Sequence, residues 1–256
     1  MSPASARSTS LADRFASDGF AGPLALISKE QVESCRRAAC AVLGTDPDQP
    51  GESSAYLSAW HHHHRWAWDL ATDRRLLDAV EQVLGPDLVL WAMHCWYKPP
   101  RTGKRIPWHQ DASYWAIEPK KTVTVWLALA PTNRANGCLQ VIPGSHRHPD
   151  LPQVPVSDPR SWFPAAADPA RVDPTQAVAL DMAAGEGVLF NEATLHGSDP
   201  NDSDQARFAV SFRYTSPEVT FLIDRWSDAG RIRTSLVRGH DRFHKNDAIQ
   251  LASPPG

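Results

Sequence analysis

Apolar positions recur at helical spacing in the first third of this chain and at strand spacing afterwards. Ser28 to Leu43 reads as an amphipathic helix, with Ser28 as N-cap and Gln31 three residues on in the manner of a capping box. A second helix is expected over Trp66 to Leu84, where Leu70, Leu76, Leu77, Val80 and Leu84 keep the helical spacing and Gly85-Pro86 ends it. From Asp87 the period changes. Leu88 to Tyr97, Thr122 to Ala130, Cys138 to Ile142, Gly187 to Asn191 and Ala206 to Thr215 are short β-branched and aromatic runs, set apart by Pro, Gly, Asn and Asp. Helices first and many short strands afterwards predict a mainly β protein, a jelly roll or barrel with flanking N-terminal α-helices, rather than alternating βαβ units.

One domain is expected over residues 21–246, because 256 residues that are 42% hydrophobic suffice for one sizeable core. Residues 1–20 read as a flexible N-terminus and 247–256 as a flexible tail. The stretch from His148 to Pro174 carries Pro149, Pro152, Pro155, Pro159, Pro164, Pro169 and Pro174, so it reads as a long loop, either a lid or a solvated insertion.

A formal net charge of -3 supplies no basic field for a nucleic-acid backbone. No apolar run reaches the roughly 20 residues of a membrane span, and the N-terminus lacks the apolar core of a secretory signal, so a cytoplasmic protein is expected. Cys35 and Cys40, five apart on a helix, point in different directions, while Cys95 and Cys138 sit in apolar runs; all four read as thiols without a metal role. The pattern specifies no oligomeric state.

Candidate chemistry begins at Trp108-His109-Gln110-Asp111. In an extended segment, residues two apart leave the same face of the strand, so His109 and Asp111 can share one ion. His196, a short turn after the strand-like Val188 to Asn191, supplies a third ligand. Two imidazoles and one carboxylate leave one face of an octahedral metal open, which suits an Fe(II) oxygenase, where O2 and a bidentate co-substrate need those positions. Arg207 follows eleven residues after His196 at the start of an apolar strand, where a buried guanidinium calls for an anionic partner such as a dicarboxylate.

On these residues the chain resembles the phytanoyl-CoA dioxygenase family of Fe(II)/2-oxoglutarate oxygenases. The resemblance rests on Tyr97-Lys98-Pro99-Pro100, on Trp108 to Asp111 with Tyr114-Trp115, on Asn136-Gly137-Cys138-Leu139-Gln140-Val141-Ile142-Pro143-Gly144-Ser145-His146, and on His196-Gly197-Ser198 with Asn201 and Arg207. It runs from about Leu70 to Thr215. It implies a double-stranded β-helix core, with His109, Asp111 and His196 as the iron triad. It also implies that Arg207, assisted by Ser198, pairs with the distal carboxylate of 2-oxoglutarate, that Trp126 lies against the same co-substrate, and that Trp96 flanks it. Leu236-Val237-Arg238-Gly239 with Asp241 resembles the C-terminal part of bacterial members, which places it near the site.

The chemistry implied is oxidative decarboxylation of 2-oxoglutarate to succinate and CO2, coupled to hydroxylation of a free small molecule in natural-product tailoring or polar-metabolite oxidation. Desaturation, epimerisation and ring formation use the same ligands, whereas halogenation is disfavoured because Asp111 leaves no vacancy for chloride. Candidate substrate contacts are His94, on the strand face of Trp96, together with Trp115, Asn191 and His61. The run His61 to His64 fits either a solvated loop or the pocket entrance, and the ten tryptophans allow an aromatic cage for a cation, though core packing explains most of them. His94 stands where an ectoine hydroxylase is expected to carry an arginine. Two other classes share the ligand set: a non-catalytic cupin-like binding protein, and a zinc hydrolase with Glu192 as its base.

Overall fold

The computed structural model describes residues 10–45, 55–101, 104–226, 230, 232–251 and 253–256. In chain order its helices are α1 (Leu11–Asp18), α2 (Lys29–Leu43), α3 (Arg65–Ala71) and α4 (Arg74–Leu84). The strands begin with β1 (Phe20–Ala25), β2 (Ala55–Ser58), β3 (Leu88–Lys98), β4 (Ile106–His109), β5 (Ile117–Glu118), β6 (Thr122–Ala128) and β7 (Gln140–Val141). They continue with β8 (Gln153–Pro155), β9 (Ala165–Ala167), β10 (Val178–Ala179), β11 (Glu186–Asn191), β12 (His196–Ser198), β13 (Arg207–Thr215), β14 (Thr220–Phe221) and β15 (Ser235–Arg238).

Eleven of the strands form two antiparallel sheets with a jelly-roll arrangement, as the sequence predicts, while β5 pairs with β14 and β8 with β9 outside them. The larger runs β1-β11-β6-β13-β3-β15, with β2 also on β3, and the smaller runs β10-β7-β12-β4. The larger sheet is buried on both faces, and its side chains divide by strand parity. On β13, Phe208, Val210, Phe212 and Tyr214 join the core under the helices, with Leu76 and Val80 of α4. Ala209, one step out of phase, packs instead with Trp96, Trp126, Leu139 and Val141 between the two sheets. Arg207, Ser211 and Arg213 share the parity of Ala209 and are buried. The second core therefore doubles as the wall of a polar cavity.

Helix α2 carries the expected reciprocal box between Ser28 and Gln31. The single helix expected over Trp66 to Leu84 is two helices. Asp73 breaks it by capping α4 through the Arg75 amide, at 2.8 Å, and by accepting from Gln31 Nε2 at 2.7 Å. The N-terminal segment is also corrected: residues 1–9 lie outside the described residues, but Ser10 and Asp13 cap α1 reciprocally and Phe15 is buried. The Gly144 amide, donating to Asp18 O at 2.7 Å, ties that helix to the β7 turn. The tail is held as far as Leu251, whose amide donates to Thr234 O at 2.8 Å.

Two further readings change. Leu236 to Gly239 does not approach the site: β15 pairs with the Leu88–Leu90 end of β3, and Arg238 binds Asp78 and Glu81 of α4 at 2.8 and 2.6 Å. The Pro-rich stretch is not wholly irregular, since β8 and β9 pair as a short hairpin. All four cysteines are buried and free, as expected.

The apolar packing of the helices on the larger sheet is joined by a buried hydrogen bond, from Tyr214 Oη to Ala71 O at 2.6 Å. Tyr214→Phe leaves that carbonyl at the end of α3 unpaired and should lower unfolding free energy by about 1–2 kcal/mol. Urea denaturation checks this; an unchanged midpoint contradicts the role given to the phenol.

Candidate metal centre and cavity

The pairing of β12 with β4 sets His196 directly opposite His109, and the turn Asp111–Tyr114 begins immediately after β4 and Gln110. His109, Asp111 and His196 are all buried, with ligand atoms within 4.8 Å of one another. His109 Nδ1 donates to Pro107 O at 2.8 Å and His196 Nδ1 to Thr194 O at 2.9 Å. A carbonyl only accepts, so each proton resides on Nδ1 and each Nε2 lone pair is free for a metal. The two Nε2 atoms lie 3.6 and 3.9 Å from Asp111 Oδ1. Burial pushes the His196 imidazole down to about 3, which keeps it in the neutral, ligating form. Two neutral imidazoles and one carboxylate on a common side fit a hard or borderline divalent ion with an open face.

Burial alone would raise the Asp111 carboxyl, but it is held well below the usual carboxylate range, chiefly by the Arg213 guanidinium. Arg213 Nη2 donates to both carboxylate oxygens, at 3.5 and 3.3 Å, and its Nη1 meets His94 Nδ1. A guanidinium only donates, so His94 Nδ1 accepts and the ring proton lies on Nε2. Thr124 Oγ1 adds a longer contact to Asp111 at 3.4 Å.

Arg207 and Lys98 form a second group, both fully buried on neighbouring strands. Lys98 Nζ donates to Ser198 Oγ at 2.7 Å, and Arg207 lies over the Trp126 ring at 5.6 Å. Trp96 Nε1 donates to Ser211 Oγ at 2.9 Å, which fixes the wall between this group and the triad. No carboxylate among the described residues pairs with Arg207, and its Nε has no hydrogen-bond partner. Burial lowers the Arg207 guanidinium to about 10, and burial together with the Arg207 charge pushes the Lys98 ammonium well below its usual value. A buried guanidinium that lacks a carboxylate partner among the described residues and shares its burial with a lysine is costly unless an anion joins them.

A cavity of about 510 Å³ opens beside the triad, with Asp111 and Arg213 in its lining. His61, His94 and Trp115, the substrate contacts expected from the sequence, are in its lining. His61 is buried, so the histidine run is not wholly a solvated loop. Asn191 is corrected: its Oδ1 accepts from the Ala193 amide at 2.8 Å, and it shapes the turn before His196 instead of facing the cavity. The aromatic cage for a cation is likewise filled from within, by Arg213 over the Trp115 ring at 5.0 Å.

The Pro-rich insertion reaches this centre. Phe163 stands edge-on to the His109 ring with centroids 4.8 Å apart, and Trp162 lies over Lys98 at 5.6 Å. Of its two readings, lid or solvated stretch, the structure shows cover over the site. Glu192 does not serve as a base at the metal, since its Oε2 accepts from the Thr122 amide at 2.9 Å.

Lys98, Arg213 and Trp162-Phe163 were not among the residues picked from sequence. Parity could have found two of them: Lys98 lies two places beyond Trp96, and Arg213 six beyond Arg207. Nothing local marks the aromatic pair as a cover for His109.

Fold and site together define a jelly-roll protein with a His-Asp-His candidate metal centre between its sheets. The chain belongs to the phytanoyl-CoA dioxygenase family, whose model, Phytanoyl-CoA dioxygenase (PhyH), matches residues 15–209. Among curated proteins it is 29% identical over 225 residues to an ectoine dioxygenase of Halomonas elongata, covering 79% of this chain and 68% of the relative. The chain spans about half the length of other curated relatives that it matches, 49% and 45% in two cases. Among solved structures, a non-heme monooxygenase, ThoJ, superposes with a TM-score of 0.73 at 28% identity, covering 96% of this chain and 88% of that one. EvdO2 of Micromonospora carbonacea var. aurantiaca, complexed with 2-oxoglutarate, superposes with a TM-score of 0.65 at 26% identity, covering 82% of this chain and 90% of that one.

Gln110, between the two ligands of the motif, secures the cover. Its Nε2 donates to His148 O and Ala193 O at 2.9 and 2.7 Å, and its Oε1 accepts from the Leu151 amide at 3.1 Å. Gln110→Met keeps the bulk and strands two buried backbone groups and one partly buried one, so it should cost about 2–3 kcal/mol and expose the insertion. Limited proteolysis checks this: cleavage within 148–174 should accelerate at least tenfold, and an unchanged cleavage rate contradicts the anchoring role.

Proposed function

We propose that this protein is an iron(II)- and 2-oxoglutarate-dependent oxygenase that hydroxylates a free small molecule. The observation that carries the reading is buried Arg207, without a carboxylate partner among the described residues and next to Lys98, together with three side chains whose ligand atoms converge. His109, Asp111 and His196 hold the iron. Arg207, with Ser198 and Lys98, receives the distal carboxylate of 2-oxoglutarate, and Trp126 and Trp96 flank its carbon chain. When bound, iron(II), 2-oxoglutarate and O2 supply an oxidant for an unactivated C–H bond, with succinate and CO2 as co-products.

The chain's own residues do the rest. Pro107 O and Thr194 O fix the tautomers that present both Nε2 atoms. Arg213 keeps Asp111 ionised and oriented. Trp162 and Phe163 exclude water from the centre. The His109 partner across the sheet and the cavity beside Asp111 put a substrate next to the metal and away from Arg207.

Succinate release in air with Fe(II) and ascorbate tests the reading. Asp111→Ala should abolish release. Arg207→Gln removes a charge-assisted pair worth about 2–3 kcal/mol and should raise KM for 2-oxoglutarate by roughly 30- to 150-fold, with a smaller effect on kcat. An Arg207→Gln protein with the wild-type KM contradicts the assignment.

A further inference from the structure

Two routes lead from the surface toward the space between the sheets, and they differ in what blocks them. That space is narrow, about 20 Å³, with Trp96, Trp126 and the three converging side chains in its lining. It shares Asp111 and Arg213 with the cavity of about 510 Å³. Both residues are buried and bound to each other, and Arg213 is also held by His94 and Trp115. From the same cavity, Lys98 is capped by the Trp162 ring at 5.6 Å. Passage on this side therefore breaks charge-assisted contacts.

A second cavity, of about 460 Å³, lies between the smaller sheet and the insertion, with Ile106, Gln140 and Ser198 on one wall and Val154, Val156 and Ala166 on the other. Ile106 also lines the narrow space, so a single side chain divides the two. A bulge aims it there. His196 pairs with His109 and Ser198 with Ile106, so three steps along β4 match two along β12. Ile106 consequently packs against the core between the sheets, while Trp108 joins a separate cluster with Ile142 and Leu195. Ile106 is half-buried and aliphatic, so its rotation breaks no side-chain hydrogen bond. Its partner across the strands, Ser198, accepts from Lys98 Nζ at 2.7 Å, which puts this wall beside the Arg207–Lys98 group. The acids at the mouth are compensated: Arg105 and Arg160 hold Asp158 at 3.1 and 3.5 Å, and Asp199 accepts from Gln140 Nε2 at 2.6 Å and lies near Lys98.

We propose that the second cavity is the passage by which 2-oxoglutarate enters and succinate leaves, with Ile106 as its gate, and that the cavity beside Asp111 is left to the substrate. This rests on the oxygenase reading. Separate doors let the co-substrate exchange while the substrate keeps its place.

Stopped-flow absorbance of the charge-transfer band tests this, with the full chain and Fe(II) mixed anaerobically with increasing 2-oxoglutarate. The slope of the observed rate against concentration gives the association rate and the intercept the dissociation rate. Val156→Trp, which fills the passage, should slow both by about tenfold, and Ile106→Ala should speed both by about threefold, each with Kd within twofold of wild type. Ser157→Trp, at the exposed lip of the same cavity, should slow both rates as well and serves if Val156→Trp does not fold. Ser58→Trp, in the lining of the cavity beside Asp111, should change neither rate. Wild-type rates in the filled passage, slowing by Ser58→Trp instead, or a change in Kd without the paired change in rates each overturns the proposal and leaves the oxygenase reading standing. A wild-type protein that binds iron but not 2-oxoglutarate sinks that reading and the passage with it.

Discussion

The alternation of side chains along β13 is the constraint on which the rest depends. Phe208, Val210, Phe212 and Tyr214 anchor the sheet to the helices, and Arg207, Ser211 and Arg213 are thereby committed to the space between the sheets. A one-residue slip would exchange those two sets, setting guanidiniums against α4 and phenylalanines in the cavity. The hydrophobic core under the helices therefore holds the register that positions the polar site. β3 and β6 obey the same rule, which is why His94, Trp96, Lys98, Thr124 and Trp126 meet β13 from either side.

Within that frame two arginines on one strand do different work. Arg213 is compensated: it pairs with Asp111, donates to His94 and lies over Trp115. Among the described residues Arg207 has no acidic partner, and it shares its burial with Lys98. The contrast separates a cation that completes the metal centre from one that requires a ligand. The insertion that carries Trp162 and Phe163 completes the enclosure, and Gln110 fastens it to the same turn that presents Asp111.

Much of this was legible in the sequence because it rests on local chemistry. The His109–Asp111 spacing, the interval from His196 to Arg207, and the change of period at Asp87 each follow from helix or strand geometry. What was missed depends on distant partners. Asp73 breaks a continuous helical pattern because Gln31 and α4 both use its carboxylate. Asn191 has the right distance from His196, yet its side chain is taken by the turn itself. The proline count marked an irregular stretch without revealing that two of its aromatics would land on His109 and a buried lysine.

The central claim is that the three converging side chains and Arg207, which has no carboxylate partner among the described residues, together hold iron(II) and 2-oxoglutarate at one centre. The most direct measurement is the visible absorption of the protein mixed anaerobically with Fe(II) and 2-oxoglutarate. The account predicts a weak charge-transfer band that needs both components and vanishes in His109→Ala. Iron bound at the triad with no band on addition of 2-oxoglutarate would contradict it.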